Sequence, residues 1–177
     1  TDNGVYVSFN KGENWQQFTD GIPTIPVHDL VIQKEAKDLV IGTHGRSIYK
    51  ANIASLQKYK ETKGKGIVIF SIPSIKFSSY WGSSWNKWLK PTTPKLTIPF
   101  YVAKDGVYSV EILSKNKTLL KKYNTVASVG FNYTNYDLSI PEKTVNTYFL
   151  KNDVEVKKAK NDKYYLPKGN YIIKILD

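Results

Sequence analysis

The sequence predicts an all-β protein. Three observations carry that expectation. The apolar runs are short and rich in Val, Ile, Tyr, Phe and Thr, the residues that strands prefer. Clusters of Gly, Pro, Asn and Asp punctuate them, at roughly 8 to 12 residue intervals in the second half of the chain. Finally, 41% hydrophobic and 14% aromatic residues are ample for a packed core in 177 residues.

The elements follow in order. Gly4-Val5-Tyr6-Val7-Ser8 runs into an Asn10-Lys11-Gly12 turn and Trp15-Gln16-Gln17-Phe18 returns, which makes a hairpin. After the Gly21-Ile22-Pro23 and Ile25-Pro26 breakers, strands are expected at 27–32 and 39–42 around a polar turn at 34–37. A further turn at His44-Gly45 leads into Ser47-Ile48-Tyr49, so residues 1–52 read as a meander of about five antiparallel strands. Residues 53–66 hold Lys58, Lys60, Glu61, Lys63 and Lys65 and few apolar groups, which suits a solvated linker or a short helix. The expected organisation is therefore 1–56, a linker at 57–66, and a second domain at 67–177. Gly66-Ile67-Val68-Ile69-Phe70 supplies a strand. Beyond Pro91 and Pro94, strands are expected at 96–102, 107–113, 118–123, 131–138, 147–150, 164–166 and 171–176, the spacing of a two-sheet sandwich.

Composition narrows the function. With no cysteine there is no disulfide, thiolate metal site or cysteine nucleophile, and no cofactor or metal is assigned. No stretch reaches the ~20 apolar residues of a membrane span. The absence of any methionine suggests a processed product or a part of something longer. A net charge of +11 would favour acidic partners if concentrated, but only one of the 26 basic residues is arginine, Arg46, and nucleic-acid readers lean on arginine forks. Nucleic acid is not expected as a partner.

Two segments resemble known families. Ser8-Phe9-Asn10-Lys11-Gly12-Glu13-Asn14-Trp15 resembles the Asp box, S-x-D-x-G-x-T-W, of sialidase-like, BNR-repeat and sortilin-type propellers, with Asn10 and Asn14 in place of the usual Asp and Thr. The residues fit that use. Ser8 and Asn10 can hydrogen-bond the turn, Gly12 can take a positive φ, and Trp15 can plug the hairpin against its neighbour. The runs at 26–32 and 38–49 are similar to the closing blade of bacterial BNR or sortilin-like propeller proteins, often labelled glycosyl hydrolases. A blade takes ~40 to 45 residues and a ring at least four blades, so this resemblance implies a partial propeller whose edges pair with the remainder of the propeller or another chain. Leu166-Pro167-Lys168-Gly169-Asn170-Tyr171, with Gly106-Val107-Tyr108 before it, resembles the FlgD-like immunoglobulin domain and the C-terminal domains of proteins exported by the Bacteroidetes type IX system. That implies an immunoglobulin-like β-sandwich serving as spacer or docking module. Because those sorting domains usually continue into one more basic strand, a sorting role is not expected.

No catalytic residue is assigned. Sialidase chemistry, as the resemblance implies it, requires an arginine cluster that one arginine cannot make. Asp29 and Asp38 are carboxylates without a telling spacing, and His28 and Asp29, adjacent in a strand, point to opposite faces. His44 and Arg46 sit at a turn where they could touch a ligand, although fixing the turn is the plainer role. In Ser78-Ser79-Tyr80-Trp81-Gly82-Ser83-Ser84-Trp85-Asn86-Lys87-Trp88-Leu89, the indoles Trp81, Trp85 and Trp88 would share one face of a helix, or in an extended loop form a sugar-stacking platform beside Tyr80. The commoner fate of such indoles is burial against a neighbouring domain. The leading expectation is a non-catalytic structural and interaction module of a secreted or cell-surface protein, periplasmic or outer-membrane association included. An accessory part of a polysaccharide-active hydrolase and a carbohydrate-binding module are the alternatives.

Overall fold

The strand-forming runs and turn residues fold as a series of small antiparallel sheets, none of them closed, in a computed structural model that describes every residue except 19–21, 63 and 87. Gly21 of the expected breaker, Lys63 of the expected linker and Lys87 of the tryptophan segment lie outside the described residues. The chain divides into two compact units, Thr1–Lys65 and Gly66–Asp177.

In the first unit, β1 (Val5–Val7) pairs with β2 (Gln16–Phe18), and β3 (Val27–Gln33), β4 (Asp38–Thr43) and β5 (Ile48–Asn52) form a meander with β4 in the middle. Residues directly opposite in an antiparallel pair share a face, so Leu30, Ile41 and Tyr49 line up with Ile32, Leu39 and Ala51. Burial on that face is uneven. Ile41, Leu39 and Ala51 are covered, but Leu30 and Ile32 on the β3 edge are 47% and 52% exposed, and Val31 on the opposite face is 58% exposed. The segment expected as a linker winds into a tight helical turn, Leu56–Thr62, whose Leu56 and Thr62 are buried and whose Tyr59 ring stacks on Phe9 at 4.2 Å.

In the second unit, β7 (Leu96–Val102) is flanked by β6 (Ile67–Ile69) and β10 (Gly130–Tyr136), and β8 (Gly106–Ser114) by β9 (Leu119–Ala127) and β13 (Tyr171–Leu176). A short pair, β11 (Ser139–Ile140) with β12 (Tyr164–Tyr165), completes it. Period-two alternation sends Leu96, Ile98, Phe100 and Val102 of β7 inward, where they join Tyr108, Val110 and Ile112 of β8 in one core. Phe100 is fully buried, and truncating such a ring to alanine would cost about 3 to 5 kcal/mol.

Two tyrosines close this core in the same way. The Tyr108 hydroxyl donates to the Lys104 carbonyl and the Tyr171 hydroxyl to the Pro167 carbonyl, each at 2.8 Å and each four residues upstream. Both follow the pattern Gly-x-Tyr (Gly106, Gly169) at the start of a strand.

One expectation is corrected. Residues 147–150, expected as a strand, are helical: α1 (Glu142–Thr144) widens into a turn at Val145–Phe149 and tightens at Leu150–Asn152. Pro141 presets the entry at φ −65, and Val145 and Phe149, four residues apart, bury on one side. The consecutive Tyr148, Phe149 and Leu150 hide that period, which is why the run reads as a strand.

Candidate functional site

The hairpin turn between β1 and β2 is built by short side chains. The Ser8 Oγ accepts the Gly12 N–H at 2.8 Å and donates to Asn10 Oδ1 at 3.1 Å, and that oxygen accepts the Asn14 N–H at 3.0 Å. Lys11 and Gly12 both hold positive φ, 58 and 95, a pair of conformations in which glycine at the second position avoids steric strain. Trp15 is 63% exposed and lines an open cavity of about 300 Å³ with Val5, Tyr6, Val27 and Leu30. An apolar surface therefore runs from the turn to the β3 edge.

The polar candidates of the first unit do not converge. Asp38 pairs with Gln33, four residues along β3 from Asp29, which separates the two carboxylates by roughly 13 Å along the strand, outside the ~5 to 10 Å of a glycosidase pair. Each has a local task. Asp38 binds Lys50 Nζ at 3.0 Å and Asn52 Nδ2 at 3.2 Å, and the Lys50 hydrogen bond chiefly holds its carboxyl below the ordinary value. Asp29 Oδ1 accepts the Leu30 N–H at 2.8 Å, capping an amide on the outer edge of the sheet. His28 sits at the bulge between Val27 and Asp29, with its ring 5.1 Å from that of His44. His44 and Arg46 are exposed, and the Thr43 hydroxyl, a group the sequence reading passed over, closes the turn by donating to the Ser47 carbonyl.

The tryptophan segment is neither a helix nor a single platform. Trp81 is half-buried against the core of the second unit, edge-on to Phe77 at 5.2 Å and tilted on Tyr165 at 5.9 Å. Trp85 and Trp88 are 95% and 83% exposed, with Tyr80 and Leu89 exposed beside them in sequence. Two hydrogen bonds of 2.8 Å, Gly82 N–H to the Thr92 carbonyl and Thr92 N–H to the Ser83 carbonyl, clamp the base of this loop. At its tip Asn86 Oδ1 accepts the amides of Trp88 (3.0 Å) and Leu89 (3.1 Å). The sequence spacing groups the three indoles; the positive φ of Gly82, +79, turns the chain between the first and the other two.

Trp81 and Phe77 also stand between two open cavities. One, about 490 Å³, is lined by Ile72, Leu138, Tyr171 and Ile173; the other, about 460 Å³, by Val156, Ala159 and Tyr165. Burial pushes the Tyr171 phenol up to about 12, and its hydroxyl is spent on Pro167. Polar groups edge both walls, Lys168 and Asn170 in the first and Glu155, Lys157 and Lys158 in the second.

A further charged cluster was not legible in the sequence. Ser139 Oγ donates to Asp137 Oδ1 at 2.6 Å and accepts from Lys121 Nζ at 2.7 Å, while Lys163 Nζ donates to Asp137 Oδ2 at 2.8 Å. Burial raises the Asp137 carboxyl, but the Lys163 and Ser139 hydrogen bonds and the Lys121 charge outweigh it and hold it well below the carboxylate range. The Lys121–Ser139 contact has the members of a serine–lysine dyad, and here Lys121 Nζ also forms an ion pair with the Asp137 carboxylate at 3.4 Å. Among the described residues no group of three or more His, Asp or Glu is placed to hold a metal, and no helix is long and apolar enough to cross a membrane.

Compared with known proteins, the chain matches no family model, no curated protein and no solved structure.

Proposed function

We propose that the chain is a non-catalytic structural and interaction module of a secreted or cell-surface protein, its first unit the last strands of an Asp-box propeller and its second an immunoglobulin-like sandwich. The observation that carries this reading is the β3 edge. Leu30, Val31 and Ile32 are each about half exposed on an edge strand, and Trp15 and Tyr6 extend the apolar surface beside them. Long apolar edges invite strand pairing, and folded proteins normally cover or charge them. Among the described residues the cover is slight: Thr1 and Val27 share backbone hydrogen bonds at one end of β3, and Asp29 caps one amide. A surface of this kind suits a further β-element, from the same protein or a partner.

The second unit supports the sandwich reading through its paired Gly-x-Tyr corners, a device of immunoglobulin-like domains in which a tyrosine hydroxyl ties a strand to the backbone upstream. The test is sedimentation velocity of the chain and of a Leu30→Lys, Ile32→Lys variant. The chain self-associates through β3 and the variant is monomeric with unchanged thermal stability. A chain that is monomeric at ~100 μM, with a variant that loses stability, overturns the proposal by showing that the edge is already satisfied.

A further inference from the structure

Among the described residues, the two most exposed large apolar side chains of the second unit, Trp85 and Trp88, lie within one loop whose base is fixed. Trp85, Trp88 and Leu89 are 95%, 83% and 56% exposed, with Tyr80, 75% exposed, at the entrance to the loop. Its base is held by the Gly82–Thr92 and Thr92–Ser83 backbone bonds, and its tip is shaped by Asn86. Burying such groups requires something outside this unit. Along the sequence the charge beside them has one sign: from Gly66 to Lys95 the chain carries four lysines, at positions 76, 87, 90 and 95, and no acidic residue. Lys76, Lys90 and Lys95 are exposed. Glu155 and Asp162, from the segment packed under Gly82, are paired with Lys157 and Lys158 at 3.7 and 3.3 Å.

We infer that the 84–90 loop docks on an anionic lipid surface, with Trp85, Trp88 and Leu89 entering the interfacial layer and Lys76, Lys90 and Lys95 facing the headgroups. Indole rings favour the bilayer interface because they join a large apolar body to one N–H donor. Basic residues beside them gain from the negative surface potential of anionic lipid. A polysaccharide is the less favoured ligand. A stacking platform needs polar groups free for sugar hydroxyls, and the Asn86 side-chain carbonyl is taken by the loop's own amides. The aliphatic Leu89 and the surplus of lysines add nothing to sugar stacking but fit a lipid interface. The inference uses a different unit from the β3 edge, so either can fail alone.

The test is co-sedimentation of the chain with phosphatidylcholine vesicles containing ~30% phosphatidylglycerol, beside vesicles of phosphatidylcholine only and a Trp85→Ser, Trp88→Ser variant. Because both indoles are exposed, the variant keeps its fold, checked by circular dichroism. The chain binds the anionic vesicles with a blue shift in tryptophan emission. Binding falls about tenfold or more in the variant and weakens at ~0.5 M salt. Equal binding to neutral vesicles, full binding by the variant, or no vesicle binding alongside salt-insensitive capture by an insoluble glucan through the same indoles would each overturn the inference.

Discussion

Gly82 and Ala159 are in such close approach that a Cβ built on Gly82 would lie 2.5 Å from the Ala159 Cβ. The glycine also holds φ +79, so two independent constraints, space and backbone conformation, fall on one position. It is the point where the chain leaves Trp81 in the core and enters the loop that carries Trp85 and Trp88.

Gly82→Ala is therefore expected to destabilise the chain by about 2 to 3 kcal/mol, through overpacking and positive-φ strain together. Urea unfolding followed by tryptophan emission measures it. A change within ~0.5 kcal/mol would mean that the 159–161 segment yields freely.

The corner tyrosines should be additive. Tyr108→Phe and Tyr171→Phe each remove one hydrogen bond to an upstream carbonyl and keep the ring, at a cost of about 1 kcal/mol apiece. Burial raises the pKa of both phenols, Tyr171 to about 12. A group whose pKa is raised in the folded state stabilises fully below its unfolded value and loses that contribution as pH rises through the folded one. Stability should thus be level up to about pH 10 and fall from there towards 12. Equilibrium unfolding at several alkaline pH values measures the slope, which Tyr171→Phe should reduce.

Asp137 has the opposite sign. Its carboxyl is held low by Lys163, Ser139 and Lys121, so its stabilisation is present above the unfolded value of about 4 and lost as pH falls through the lower folded value. Asp137→Asn should destabilise by about 1 to 2 kcal/mol at neutral pH, less than a fully buried cluster because 34% of the side chain is exposed. The deficit should shrink as the pH drops below 4. An Asn variant whose deficit is the same at pH 7 and pH 3 would show that the charge is not what matters.

At the first hairpin, Ser8→Ala removes the acceptor for the Gly12 amide and the donor to Asn10 in one step. An expected loss of about 1 kcal/mol follows, since the turn is exposed and water can replace part of it. Asn10→Asp should be tolerated, because the aspartate oxygens accept the same Asn14 N–H.

Much of the strand layout was legible because strands write a local signal. The runs at 96–102 and 171–176 coincide with β7 and β13, and the Asn10-Lys11-Gly12 turn closes as its residue types imply. The helical turns at 145–152 were not, since three consecutive apolar residues mask the four-residue spacing of Val145 and Phe149. The tryptophan spacing was misleading for a different reason. Periodicity groups residues that share a helix, and Gly82 ends any helix between Trp81 and Trp85. The Lys121–Ser139–Asp137–Lys163 cluster joins residues up to 42 positions apart, so only the fold brings it together.

The claim that β3 offers an edge to another β-element rests on its outward amides. Leu30 N–H turns to its neighbour Asp29 rather than to β4, and by the alternation of strand hydrogen bonds the Ile32 amide points the same way. Hydrogen exchange of the Leu30 and Ile32 amides, measured from dilute to concentrated chain, tests it most directly. Rapid exchange when dilute and protection that grows with concentration is the predicted result; slow exchange of both amides at high dilution would contradict it, because the edge would then be paired within the chain itself.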